Sequence, residues 1–211
     1  DLIDGESPID EVIVPTMIDG LDIIPSTVDL AAAEISLVSM PDREKVLKNI
    51  LENIKESYDF IMIDCQPSLG LLTVNALTAS NSVIIPMQCE FYALDGLTQL
   101  MNTIRLVKFH LNPDIDVEGV VRTMKDNRSN LINQVSQEII KFFKSKVFDT
   151  YIPRNIRLAE APSHGLPIVL YDPASKGAEA YLSLAEEFLN RNKIKYKSIT
   201  KHTKIKLREV K

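Results

Sequence analysis

Short apolar runs alternate with longer amphipathic stretches along most of this chain, and that alternation constrains the fold more than any other feature. FIMID (60–64), SVIIPM (82–87), VEGVVRTM (117–124) and KVFDTYIP (146–153) are rich in β-branched and aromatic residues and read as strands. LDIIP (21–25) is a shorter candidate, closed by a proline. Residues 42–56 place Val46, Leu47, Ile50, Leu51 and Ile54 on one helical face, with Ser39 and Asp42 spaced as a capping box. Residues 69–79, 93–110, 130–143 (preceded by Ser129) and 176–190 carry the same helical period. Near-continuous apolar strands separated by single helices imply βαβ units and a mostly parallel, doubly wound sheet covered on both faces. The simplest parse is one α/β domain over residues 1–190.

In such sheets ligands sit beyond the carboxyl ends of the strands, so the residues after each apolar run are the candidates for chemistry. Those positions are polar and proline-punctuated: Asp64-Cys65-Gln66-Pro67-Ser68, Pro86-Met87-Gln88-Cys89-Glu90, Thr123-Met124-Lys125-Asp126 and Pro153-Arg154-Asn155. Asp64 directly follows four apolar residues, the Walker B arrangement, in which a carboxylate orients a water on Mg²⁺ bridging nucleotide phosphates. An acid capping the next helix would look the same. The Pro and Gly that follow fit a phosphate-sensing loop and equally fit an ordinary turn. A phosphate-binding GxxxxGK[ST] loop would complete the site, but none of the seven glycines is followed by lysine.

Other chemistries find no support. His110, His164 and His202 lack metal spacing, and neither GxSxG nor GxGxxG occurs. Cys65 and Cys89 lack ligand spacing and lie beside apolar runs, which suits reduced, buried, cytosolic thiols. No apolar run approaches the ~18 residues of a membrane span. The net charge of −5 conceals an asymmetry: residues 191–211 carry nine Lys/Arg and one acid, Glu209. That basic segment is expected to be a disordered tail, open to nonspecific attraction to nucleic acid or anionic lipid. It lacks a broad apolar helical face, which makes the lipid version the weaker one.

Four strings together resemble the ParA/Soj partitioning ATPases of the deviant Walker A class: YDFIMIDCQPSLGLLTVNAL (58–77), VIIPMQCEFYALDGLTQL (83–100), GVVRTMKDNRSNLINQV (119–135) and IPRNIRLAEAPSHGLPIVLYDPASKGAEAY (152–181). The resemblance covers residues 20–190 and implies a P-loop NTPase-like fold whose N-terminal phosphate-loop unit is missing from this chain. The chain opens on Asp1 rather than Met, and a truncated N-terminus is the expected account. The resemblance assigns Asp64 the Mg²⁺-orienting role and makes Cys65, Gln66, Pro67, Ser68, Leu69 and Gly70 the γ-phosphate-sensing switch II. Gln66 departs from the family, which usually has proline there. Thr123, Met124, Pro153, Arg154 and Asn155 fall where the family closes over adenine.

The family's activity is ATP hydrolysis with Mg²⁺, an ATP-dependent homodimer, DNA binding without sequence preference and stimulation by a ParB-type partner. Its place is the cytoplasm, on the nucleoid, without stable membrane association. Lys144, Arg154, Arg157 and Lys176 are the candidate DNA contacts, with Lys141, Lys146 and the tail beside them; each alone is as readily a solvated surface charge. The 211 residues alone are expected to lack ATPase activity. A membrane-associated relative like MinD, and a regulator without a phosphate loop, are the alternatives.

Overall fold

The computed structural model describes residues 1–90, 93–126, 128–196 and 205–208, with residues 93–95 known by backbone alone. The chain divides into two compact units: Asp1–Val83, Thr98–Asp116 and Lys206–Lys211 form one, Ile84–Leu97 and Val117–Ile205 the other.

In the first unit, α1 (Ile9–Val12) leads into an antiparallel pair, β1 (Val14–Pro15) and β2 (Asp22–Ile23), in which Val14 faces Ile23 and Pro15 faces Asp22. Helices α2 (Leu30–Val38), α3 (Val46–Leu51) and α4 (Leu71–Ala79) follow. Ile9, Leu51 and Ile54 form a buried cluster, surrounded by Leu47, Ile50, Tyr58, Ile63 and Ala79. The apolar face expected over 42–56 is therefore used, but the helix beneath it is shorter. Ser39 closes α2 instead of opening the next helix, its hydroxyl donating to the Ser36 carbonyl at 3.0 Å. Asp42 has φ 48°, a left-handed backbone that no α-helix can run through. The orphan amides of α3 are served from another element. Asn75, buried on α4, accepts from the Leu47 N–H at 3.1 Å and donates to the carbonyls of Arg43 (2.7 Å) and Leu71 (3.0 Å).

The apolar run 60–64 carries no β-bridge among the described residues. Phe60, Ile61 and Met62 are exposed, and Ile63 alone reaches the cluster around Leu51. A strand exists only against a neighbour, and pairing, unlike burial, is not encoded within the segment itself.

Strands β3 (Ser82–Gln88) and β4 (Asp116–Thr123) lie side by side, joined through α5 (Ala93–His110), the long crossover that parallel strands require. Residues 147–153 run parallel to β4, with bridges at Val120–Val147 and Lys125–Pro153. The Phe148 N–H donates to Val120 O at 3.0 Å and the Ile152 N–H to Arg122 O at 2.9 Å. Helices α6 (Asn130–Phe143), α7 (Ile156–Glu160), α8 (Ile168–Tyr171) and α9 (Lys176–Arg191) complete the second unit. Ser129 caps α6 and Ser175 caps α9, each hydroxyl accepting a backbone N–H three residues on.

The core of this unit is Val121, Phe148 and Ile152, covered by Leu158 and by Ala180, Leu184 and Phe188 of α9. Gly119 and Gly177 are close-approach positions: a Cβ at Gly119 would lie 2.4 Å from the Phe148 ring, and one at Gly177 2.6 Å from Leu158. The open edge of 147–153 is covered by Glu187, whose carboxylate accepts the Asp149 and Thr150 N–H groups at 2.8 Å each. Burial pushes Glu187 up, but those amides and Arg191, 2.6 Å away, hold it below the ordinary glutamate value.

Of the basic segment 191–211, Arg191 closes α9, and residues 206–208 lie along the turn between β1 and β2. Residues 197–204 and 209–211 fall outside the described residues. Among the described residues no helix is long and apolar enough to cross a membrane.

Candidate functional site

Asp64 and the loop 65–70 belong to the first unit. The Asp64 side chain is exposed at the end of the apolar run. Cys65 is exposed rather than buried as expected, because the apolar run before it forms no ladder among the described residues, while Cys89 is buried. Partial burial of its sulfur, and then the Asp64 charge, push the Cys65 thiol above its ordinary value, so it is not an activated nucleophile. The loop is tied down at its far end. The Thr73 hydroxyl donates to Ser68 O at 2.6 Å. Glu34 of α2 accepts the Leu72 N–H at 3.4 Å and the Gln66 side-chain amide at 3.5 Å. Its carboxylate therefore lies at the positive N-terminal end of α4, where backbone amides are unpaired and negative charge is favoured. A Cβ at Gly70 would stand 2.1 Å from Glu34 Oε1, so the glycine leaves room for the acid. Glu34 is absent from the sequence reading because LAAAEISLV offers small residues and no polar face to mark a helix; the lone acid within it was the available signal.

Thr123, Met124, Pro153, Arg154 and Asn155 belong to the second unit, and the parallel pairing brings them together. The Lys125 N–H donates to Ile152 O at 3.1 Å, and the Arg154 N–H returns to Lys125 O at 3.2 Å. Thr123 ends β4, and Met124 turns the chain with φ 50° and a half-exposed side chain. Asn155 caps α7, its Oδ1 accepting the Arg157 N–H at 2.8 Å. Lys125 Nζ stands 4.3 Å over the Tyr151 ring. Asp126 is drawn down to about 2 by the Arg128 side chain and N–H, with Arg154 adding to the effect.

Beneath this surface lies Arg122, 6% exposed. It donates to Ser136 Oγ (3.2 Å) and to the carbonyls of Phe148 (2.9 Å) and Asp149 (3.0 Å), while its Nε is buried without a partner. The guanidinium fastens the residue before Thr123 to the neighbouring segment, a positioning role that an arginine within an apolar run could have signalled. Burial pushes the nearby Cys89 thiol up, against the opposing pull of Arg122 and Lys125.

The four cations expected to contact DNA all lie in the second unit. Lys144 follows α6 with φ 51°, Lys176 opens α9, and both side chains are exposed, as is that of Arg154. Arg157 is engaged by Glu160 at 2.9 Å and Asp172 at 3.3 Å. Its charge is locally balanced, which separates it from the other three.

The strand–helix alternation and the parallel pairing define an α/β protein, and its solved structural neighbours place it with the P-loop NTPase-like folds. An AAA domain family matches residues 1–117. The chain is 58% identical over 187 residues to the sporulation initiation inhibitor protein Soj of Bacillus subtilis, covering 89% of this chain and 74% of that protein. It is 50% identical over 188 residues to the chromosome partitioning protein ParA of Myxococcus xanthus, covering 89% and 66%. Among solved structures, cobyrinic acid a,c-diamide synthase of Mycobacterium smegmatis, with bound ATP analogue and magnesium, superposes with a TM-score of 0.76 at 33% identity, over 91% of this chain and 71% of that one. The chain belongs to the Soj/ParA family of chromosome-partitioning ATPases.

Proposed function

We propose that the protein containing this chain is a partitioning ATPase that hydrolyses ATP with Mg²⁺, dimerises in the ATP state and binds DNA without sequence preference. A ParB-type partner stimulates hydrolysis and so releases the dimer. The protein works in the cytoplasm on the nucleoid, in chromosome or plasmid segregation, without stable membrane association. The observation that carries this reading is the 58% identity to Soj over 187 residues.

Each unit by itself carries residues suited to part of magnesium–nucleotide binding. The exposed Asp64 carboxylate suits a water-mediated magnesium contact, which needs an acid that solvent can reach. The paired loops at Thr123–Met124 and Pro153–Asn155 offer backbone and apolar groups to a base. The phosphate grip, a glycine loop followed by lysine, is not among these 211 residues. The chain by itself is therefore proposed to be inactive. Bound ATP would supply the γ-phosphoryl group; Asp64 would hold magnesium through a coordinated water, and residues 65–70 would sense the γ-phosphate. Lys144, Arg154 and Lys176 supply cations to DNA phosphates, with Arg157 a weaker contributor because of its two carboxylate partners.

The test is a gel shift of the complete gene product on unrelated duplexes. Retardation with ATP but not ADP, equal across sequences, is expected. A shift indifferent to nucleotide contradicts the reading, and tail-dependent liposome binding without a DNA shift replaces it with the MinD-like alternative.

A further inference from the structure

Lys206, Leu207 and Arg208 each meet a partner on the turn between β1 and β2. Asp19 N–H donates to Lys206 O at 3.0 Å, and Arg208 N–H donates to Met17 O at 2.8 Å. Ile18 faces Leu207 between these two bonds in antiparallel register. The side chains repeat the match: Lys206 Nζ lies 2.6 Å from Asp19 Oδ2, and Arg208 Nη2 lies 2.8 Å from Asp22 Oδ1. Asp22 also accepts the Tyr58 hydroxyl at 2.9 Å, which anchors the acid to the start of the segment leading to Asp64. Two acids on the turn thus meet two cations on the segment, with an apolar pair between them.

We propose that the turn Met17–Asp22 is the docking site of the chain's own Lys206–Arg208, and that docking withholds Lys206 and Arg208 from the phosphates of duplex DNA. A cation cannot release the counterions of a phosphate while it is paired with a carboxylate 2.6–2.8 Å away. The hydrogen bonds from Lys206 and Arg208 hold Asp19 and Asp22 below the ordinary aspartate value, so both acids stay charged at neutral pH. The Lys206–Asp19 pair is the more readily displaced, Arg208 and Asp22 being 32% and 24% exposed. Lys206 is 82% exposed, and exposed ion pairs are weak and screened by salt. A polyanion presenting many phosphates can outcompete two carboxylates. The masking half of the proposal rests on the DNA-binding reading above; the docking half does not.

The register supplies a direct test. Ile18 and Leu207 form the non-hydrogen-bonded type of antiparallel pair, whose Cα atoms stand ~4.5 Å apart, within disulfide range. In the complete gene product, the pair Ile18→Cys and Leu207→Cys is expected to cross-link on mild oxidation, with the bridge mapped by peptide mass. The oxidised form should bind duplex DNA about three- to tenfold more weakly than the reduced form, with a salt slope shallower by up to ~1.8, the share of two phosphate contacts. Failure to cross-link while the protein remains folded overturns docking. Cross-linking with unchanged DNA affinity, or with no DNA binding in either form, leaves docking in place and overturns masking.

A second variant, Asp19→Asn with Asp22→Asn, is expected to bind DNA more tightly, and adding Lys206→Ala with Arg208→Ala should abolish that gain. A gain that survives the added substitutions reports lost negative charge rather than a released segment, and overturns masking as well.

Discussion

Gly119 and Asp126 show how narrowly some single positions are set. A methyl group at Gly119 would meet the Phe148 ring at 2.4 Å and the Lys146 carbonyl at 2.8 Å, and the carbonyl cannot yield without breaking the bridge at Val147. Gly119→Ala should therefore destabilise the protein by about 1–3 kcal/mol, read as a lower denaturant midpoint; an unchanged midpoint would mean the two segments can separate freely. Asp126 is held at about 2 by Arg128, below the unfolded value of ~3.9. Its folded pKa is depressed, so its contribution is present above pH ~4 and is lost as pH falls through about 2. NMR titration should place its carboxyl midpoint near 2, and Arg128→Ala should return it toward ~3.9. A midpoint unmoved by Arg128→Ala would reject the guanidinium as the cause. At this scale Asp64 stands out as a candidate, because an acid ending an apolar run is visible in one dimension; its role is the one proposed above. Glu34 and Arg122 leave only a faint trace, a lone acid in LAAAEISLV and an arginine in an apolar run, since their partners come near only in the fold.

Among the elements, α3 depends most clearly on another part of the chain. Its cap comes from Asn75, 28 residues beyond the Leu47 amide it serves. Asn75→Ala removes an acceptor for that amide and a donor to Arg43 O, at a buried position. The expected cost is about 2–4 kcal/mol, with loss of helical signal and faster amide exchange over 46–51; normal exchange protection there would show that α3 stands without this cap. The long periodic elements were legible: β3, α5, β4, α6 and α9 fall within one or two residues of the expected bounds. Their period is a local property, and Ser129 marks the start of α6 directly. The run 60–64 shows the limit. Its composition demands burial, but ladder formation needs a partner strand, and three of its apolar side chains are exposed. Capping at α3 failed for a related reason: Ser39 had the right spacing, while the left-handed backbone at Asp42 ended the option.

For the whole molecule, the βαβ rhythm and the four family-like strings were enough to indicate fold class and family, because both are written in long contiguous segments. No linker rich in Gly, Ser or Pro marks the two compact units in the sequence. The pairing of 206–208 with an acidic turn was likewise invisible, as it joins residues nearly the full chain apart. The account's central claim is that Asp64 is the metal-orienting acid of a partitioning ATPase. The direct measurement is ATP turnover by the complete gene product with duplex DNA and a ParB-type partner, wild type against Asp64→Ala. The account predicts partner-stimulated turnover that falls by about two orders of magnitude or more in the variant, with folding intact by circular dichroism. Turnover that survives Asp64→Ala at the wild-type rate would contradict it.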